Sequence, residues 1–287
     1  MTADITVAFP GSARVGEGPF WDDRSGLLHW VDILSGRIHT GDPQTGEQRE
    51  PITLPTLVGA AVPKTSGGFV AATTKGFADV RADGTWTTRL AFLPAGQRMN
   101  DAKCDPSGRF WAGSNDMDFA SGEGALHMLS ADWSSEQVLD GLTLPNGLAW
   151  SPDERSFYLV DTIAGEVYAF DVVPGTSAPA NRRLLARFPQ ETGMPDGMTI
   201  DAQGCLWIAM WAGDRLLRLS PEGRVLMEVE MPVHQPSSCA FGGPDLDVLY
   251  VTSARDGLDL GERDPAGSVF AVRGLGVRGL PAMRFGG

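Results

Sequence analysis

Six stretches of the chain share a layout, and one position in it holds residues that could do chemistry. Glu17, Val58, Asn100, Asn146, Asp196 and Ser237 each stand five residues before a turn. Four of these side chains offer carboxylate or amide oxygen and no nitrogen or sulfur ligand. Oxygen donors suit a hard cation such as Ca²⁺, Mg²⁺ or Mn²⁺, whereas Zn²⁺ and Fe²⁺ more often recruit His or Cys. Two carboxylates and an amide oxygen, from Glu17, Asn146 and Asp196, would form such a site if the fold brought them together. Each of these three is followed by glycine, as Gly18, Gly147 and Gly197. Glycine permits unusual backbone angles and close approach of a ligand. N-G and D-G are also ordinary hairpin signals. Turn chemistry alone does not explain why one unit carries Glu17 where the next carries Val58.

The elements that must position them repeat as well. The turns run DDRSG from Asp22, PKTSG from Pro63, DPSGR from Asp105, SPDER from Ser151, DAQGC from Asp201 and GGPDL from Gly242. Each is followed by an apolar stretch, for example RFWAGS from Arg109 or CLWIAMW from Cys205. The aligned positions are spaced by roughly 41, 42, 46, 50 and 41 residues, a period typical of repeated four-stranded blades. A third strand with its own turn follows in each unit, as in GEVYAFDVVPG from Gly165. Period-two strands ending at turn residues read as half-buried antiparallel strands. Long amphipathic helical patterns are absent. The reading is an all-β, six-bladed β-propeller whose axial channel holds a divalent metal, formed by residues 1–287 as a single domain. Equivalent positions of a closed ring converge near its axis, so Glu17, Asn146 and Asp196 are expected to meet. The run Ile5–Phe9 is expected to supply a strand to the last blade and so close the ring. Two insertions stand out: Asp116–Gly124, placed to cover one mouth of the channel, and Pro174–Arg183, a loop by composition.

Composition agrees with this architecture. The chain has 287 residues, 42% of them hydrophobic, with 36 glycines and 20 prolines that suit short strands and tight turns. Its formal net charge of -13 disfavours a polyanionic partner such as nucleic acid. No secretory leader pattern and no long apolar run is present, so neither export nor a membrane partner is expected. The three cysteines include no C-x-x-C pair, which reads as a reducing, cytoplasmic setting without a disulfide framework.

Five motifs in order resemble the SMP-30/gluconolactonase/LRE-like lactonase family across nearly the whole chain. They are GEGPFWD at Gly16, RMNDAKCDPSGRFWAG at Arg98, LPNGLAWSPDERSFYLVDT at Leu144, PDGMTIDAQGCLWIAMW at Pro195 and CAFGGPDLDVLYVTSAR at Cys239. The resemblance implies a six-bladed propeller with one divalent cation (Ca²⁺, Mg²⁺, Mn²⁺, Zn²⁺ or Fe²⁺) held by Glu17, Asn146 and Asp196. It implies that Arg98 and Asn100 contact substrate, that Asp118 contacts sugar hydroxyls, and that Asp196 doubles as general base. Asp101 or Asp118 could serve as the base instead.

The expected chemistry is hydrolysis of a cyclic ester. A cation would stabilise the developing oxyanion while a carboxylate accepts the proton of the attacking water. The expected substrate is a sugar aldonolactone of the gluconolactone, xylonolactone or arabinolactone type, opened to its aldonic acid in sugar catabolism. The rival readings are a calcium-binding regulatory protein, a metal-dependent hydrolase of a non-sugar ester or phosphoester, and a propeller serving as an interaction platform. A monomer or weak homo-oligomer is expected. No G-x-S-x-G elbow is present, and GLGVRG at Gly274 lacks the βαβ context of a dinucleotide site. His29 and His127 read as core or rim residues. Trp211 reads either as blade packing or as a stacking surface at the channel mouth.

Overall fold

The computed structural model describes residues 3–173, 176, 178–261 and 264–287. Its strands form six four-stranded antiparallel sheets. The first blade runs Gly16–Asp22, Leu27–Asp32, Arg37–Gly41 and Ile52–Thr53, from inside to outside. The inner strands of the next four are Val58–Pro63, Gln97–Cys104, Pro145–Trp150 and Met194–Ile200. In the sixth, Pro236–Gly242, Val248–Ser253 and Val269–Arg273 are completed by Asp4–Phe9, the N-terminal strand. The inner strands touch their neighbours in a closed circuit, the sixth meeting the first. The architecture is the six-bladed β-propeller that the repeat predicted.

Burial follows from position in the blade. The inner strands Val58–Pro63 and Pro145–Trp150 are buried along their whole length, so their sequences lack the alternation of a half-exposed strand. The outer strand Trp86–Ala91 is mostly exposed. Between blades, aromatic side chains fill the wedge-shaped gaps. Phe77 packs edge-on against Phe110, and Phe110 against the C-terminal Phe285. The N-terminal strand is tied in by Phe9, fully buried and stacked on Trp30 at 4.9 Å.

The turn aspartates are structural. Asp105 accepts hydrogen bonds from the backbone of Ser107 and Arg109 at 2.9 and 3.0 Å and from the Trp111 indole at 2.9 Å. Two blades on, Asp201 does the same with Gln203, Cys205 and the Trp207 indole, and accepts from the Arg218 guanidinium at 2.8 Å as Asp105 does from that of Arg109 at 2.6 Å. One residue thereby closes the turn and fixes the next strand's tryptophan.

Of the two insertions, Pro174–Arg183 includes Pro174, Gly175 and Ser177, which lie outside the described residues. Its last part is not loop: the outer strand of the fourth blade spans Ala180–Arg187. Pairing with Glu166–Asp171 supplies the backbone partners that local composition could not reveal.

Candidate axial site

All six inner strands slip register at the aligned position: between Glu17 and Phe20, Val58 and Ala60, Met99 and Ala102, Pro145 and Leu148, Pro195 and Met198, and Pro236 and Ser238. Such a bulge re-aims a side chain without ending the strand. The following glycines serve two purposes. Gly18 takes a φ of 53°, where a side chain would be strained. Gly147 has no such angle, but a Cβ there would sit 2.6 Å from the Asp196 carbonyl on the next blade. Glycine at that position lets adjacent inner strands close up around the axis.

The polar residues meet as expected. Glu17, Asn100, Asn146 and Asp196 are all buried, each 4% exposed. The Asn146 amide nitrogen donates to the Asp196 carboxylate and to the Thr162 hydroxyl, the latter at 3.1 Å. Arg98 donates to the Asn100 side-chain oxygen at 2.8 Å, and the Asn100 amide donates to the Pro145 carbonyl at 3.1 Å. Val58 is core, and Ser237 bonds the Gly16 carbonyl and Thr252.

The buried charges of the cluster act on one another. Burial, reinforced by Asp196 and Asp101, pushes the Glu17 carboxyl well above its ordinary range. Asp196 is raised by burial and by Asp101, against the pull of Arg98 and the Gly197 N–H. Burial also raises Asp101, opposed by Lys103 and the Ala102 N–H. Burial brings the Arg98 guanidinium down to about 10, with Glu17 and Asp196 pulling the other way. Three buried carboxylates around one axis repel each other, and a divalent cation would relieve that repulsion.

The donor set fits such an ion. Among the described residues, no group of three or more His, Cys, Asp or Glu side chains could hold a metal by itself. The two carboxylates need an amide as third donor, and the buried Asn146 Oδ1 accepts no hydrogen bond. A buried acceptor without a partner is uncommon enough to require an explanation. Two more such oxygens were not singled out in the sequence, Asn115 Oδ1 and Gln235 Oε1. Asn115 pairs with Arg98 across the third blade. Gln235 occupies in the sixth repeat the position that Arg98 holds in the third. A signal was present for both: a polar side chain at the end of, or just before, an apolar strand. Thr162, which orients Asn146, was likewise missed.

The remaining candidates fall elsewhere. Asp118 is exposed, on the turn after Phe110–Asp116, with its backbone N–H bonded to Asp116. Because Asp116 pairs with Gln97, this turn lies beside Arg98 at the rim of the same mouth, outside the buried cluster. Trp211, half-buried, ends the second strand of the fifth blade opposite Met194. His29 and His127 are buried and bonded to Thr40 and Ser114, each at 2.9 Å, as core residues. The three cysteines are buried and unpaired.

Comparison with known proteins gives a consistent picture. Residues 15–255 match the model of the SMP-30/Gluconolactonase/LRE-like region. Regucalcin of Danio rerio is 39% identical over 286 residues, covering 96% of this chain and 95% of the relative. A luciferin-regenerating enzyme superposes with a TM-score of 0.91 at 31% identity, over 99% of both chains. A calcium-binding regucalcin from Agrobacterium tumefaciens gives 0.90 at 27% identity, over 97% of this chain and 96% of that one.

Proposed function

The chain belongs to the SMP-30/gluconolactonase/LRE-like family, and we propose that it is a metal-dependent lactonase opening a sugar aldonolactone to its aldonic acid. The observation that carries this reading is the convergence of Glu17, Asn146 and Asp196 on one axis, with the Asn146 oxygen unpartnered and Arg98 beside it. Glu17, Asn146 and Asp196 would hold a divalent cation, which would supply polarisation of the ester carbonyl and acidify a water at neutral pH. Three protein ligands leave room for both water and substrate.

The chain's own residues do the rest. Asp196 accepts the proton of the attacking water. Asp101, buried beside it, adds negative charge that favours this uptake. Arg98 presents planar donors to substrate hydroxyls and balances the oxyanion as it develops. Asn100, held by Arg98 and the Pro145 carbonyl, fixes the guanidinium's direction. Asn115 and Gln235 offer free acceptors to sugar hydroxyls, and Asp118 reaches the substrate from the rim. The buried, unpaired cysteines support a reducing cytoplasmic setting.

A calcium-binding regulator without turnover is the second reading, supported by the all-oxygen donor set and by the calcium-binding relative. Arg98 weighs against it, because a cation near the ion repels it and serves only a substrate. The deciding experiment follows acid release from a panel of aldonolactones with a pH indicator. Chelator-stripped protein is used, with single divalent metals added back. Metal-restored hydrolysis well above the spontaneous rate establishes the lactonase; tight binding of one ion with no hydrolysis by any metal favours the regulator.

A further inference from the structure

The far end of the axis holds a cavity whose wall takes in Asp101 but none of Glu17, Asn146 and Asp196. It encloses about 230 Å³. Phe20, Val62, Ala149, Ile200 and Phe241 make its wall largely apolar, and Leu280–Met283 cross it as a strap. The strap is pinned at both ends. The Gly279 N–H bonds the Leu246 carbonyl at 2.7 Å, and Arg284 pairs with Asp22 and Asp23. Pro152 and Glu154, both exposed, line the rim, so the cavity reaches the surface.

Lys103 stands in this wall together with Asp101. Its Nζ donates to the Met198 carbonyl across the axis at 2.6 Å. Among the described residues it forms no ion pair, whereas Lys64 pairs with Asp79. Burial disfavours its ammonium form, although Asp101, Cys239 and Glu17 oppose this. The choice of lysine is itself informative. The chain has only three, Lys64, Lys75 and Lys103, among 23 basic residues. A guanidinium could make the same bond to Met198, but it does not deprotonate in proteins. An amine in an apolar pocket is the arrangement that makes lysine a nucleophile.

We propose that Lys103 captures small apolar aldehydes or ketones in the far-end cavity as a reversible imine. The Nζ lone pair forms a bond to the carbonyl carbon while the oxygen takes up a proton. The resulting carbinolamine loses water as C=N forms, with Asp101 handing on the proton. Aldehyde and amine thus give imine and water, with no oxidant or reductant. The apolar wall selects against hydroxylated carbonyl compounds, so the ligand class differs from that of the axial site.

The test incubates the full-length protein with benzaldehyde or, separately, glyceraldehyde, with cyanoborohydride present to fix any imine as a secondary amine. Peptide masses then report which lysine is modified. Lys103 is expected to label with benzaldehyde about tenfold faster than Lys64 or Lys75. The label should be absent in Lys103→Met and slowed about tenfold by Ala282→Trp, a substitution on the exposed strap that leaves the amine in place. Labelling should persist after chelation, which keeps this outcome separate from the lactonase reading. Labelling of Lys103 no faster than Lys75, indifference to Ala282→Trp, or a preference for glyceraldehyde would overturn the proposal.

Discussion

At the scale of single residues, chemistry depends on a few side chains made uncomfortable by burial. Asp196 is asked both to hold a cation and to accept a proton. Asp196→Asn keeps the shape but removes the base, so turnover should fall to the spontaneous rate in the lactone assay. Asn146→Ala removes a neutral donor and should weaken metal binding about tenfold or more in a metal titration. Wild-type rates and full metal dependence in both variants would show the site to be wrongly placed. The types at these positions were legible from the sequence, because four oxygen-bearing residues fell at one repeat position. Asn115 and Gln235 left a weaker signal, a polar residue beside an apolar strand, and Thr162 left none, since each matters only through a neighbour contributed by another strand or by the ligand.

At the scale of elements, the inner-strand bulge and the N-terminal closure carry the design. Each bulge turns one residue toward the axis, and Gly147 lets the next blade come close enough to share the cluster. The closing strand buries Phe9 on Trp30, and its removal would uncover Trp30 and expose the edge of Val269–Arg273. Deleting residues 1–10 should therefore lower unfolding free energy by at least about 3 kcal/mol, the cost of losing one well-buried Phe. Denaturant titration of the truncated and full chains measures this, and an unchanged midpoint would refute the role of the strand. The strand itself was readable from ITVAF and the missing partner of the last unit. The bulges were not, because slipping register by one residue leaves no mark on composition. Nor was the outer strand at Ala180–Arg187, whose exposed, Arg-rich face lacks an alternating pattern.

At the scale of the whole molecule, the ring gathers negative charge at its axis while carrying a formal net charge of -13. Glu17 and Asp196 have folded pKa values above their unfolded ones, so between the two values the native state holds more protons than the unfolded chain. Stability of the metal-free protein should then fall as pH rises above about 4.5 toward the raised folded values. A divalent cation, which needs both groups ionised, should remove or reverse that slope. Thermal melts across this range with and without metal check the sign; a metal-free melting temperature that climbs with pH would contradict it. What the sequence by itself determined was the period, the turn chemistry and the residue type at each repeat position, all set by interactions within a few residues. Only the tertiary structure decided which oxygens lack partners, how carboxylates from separate blades shift one another, and that Lys103 lines a cavity at the far end of the axis. Those properties arise between side chains scores of residues apart, where distance and burial act through closure of the ring and local pattern has no hold.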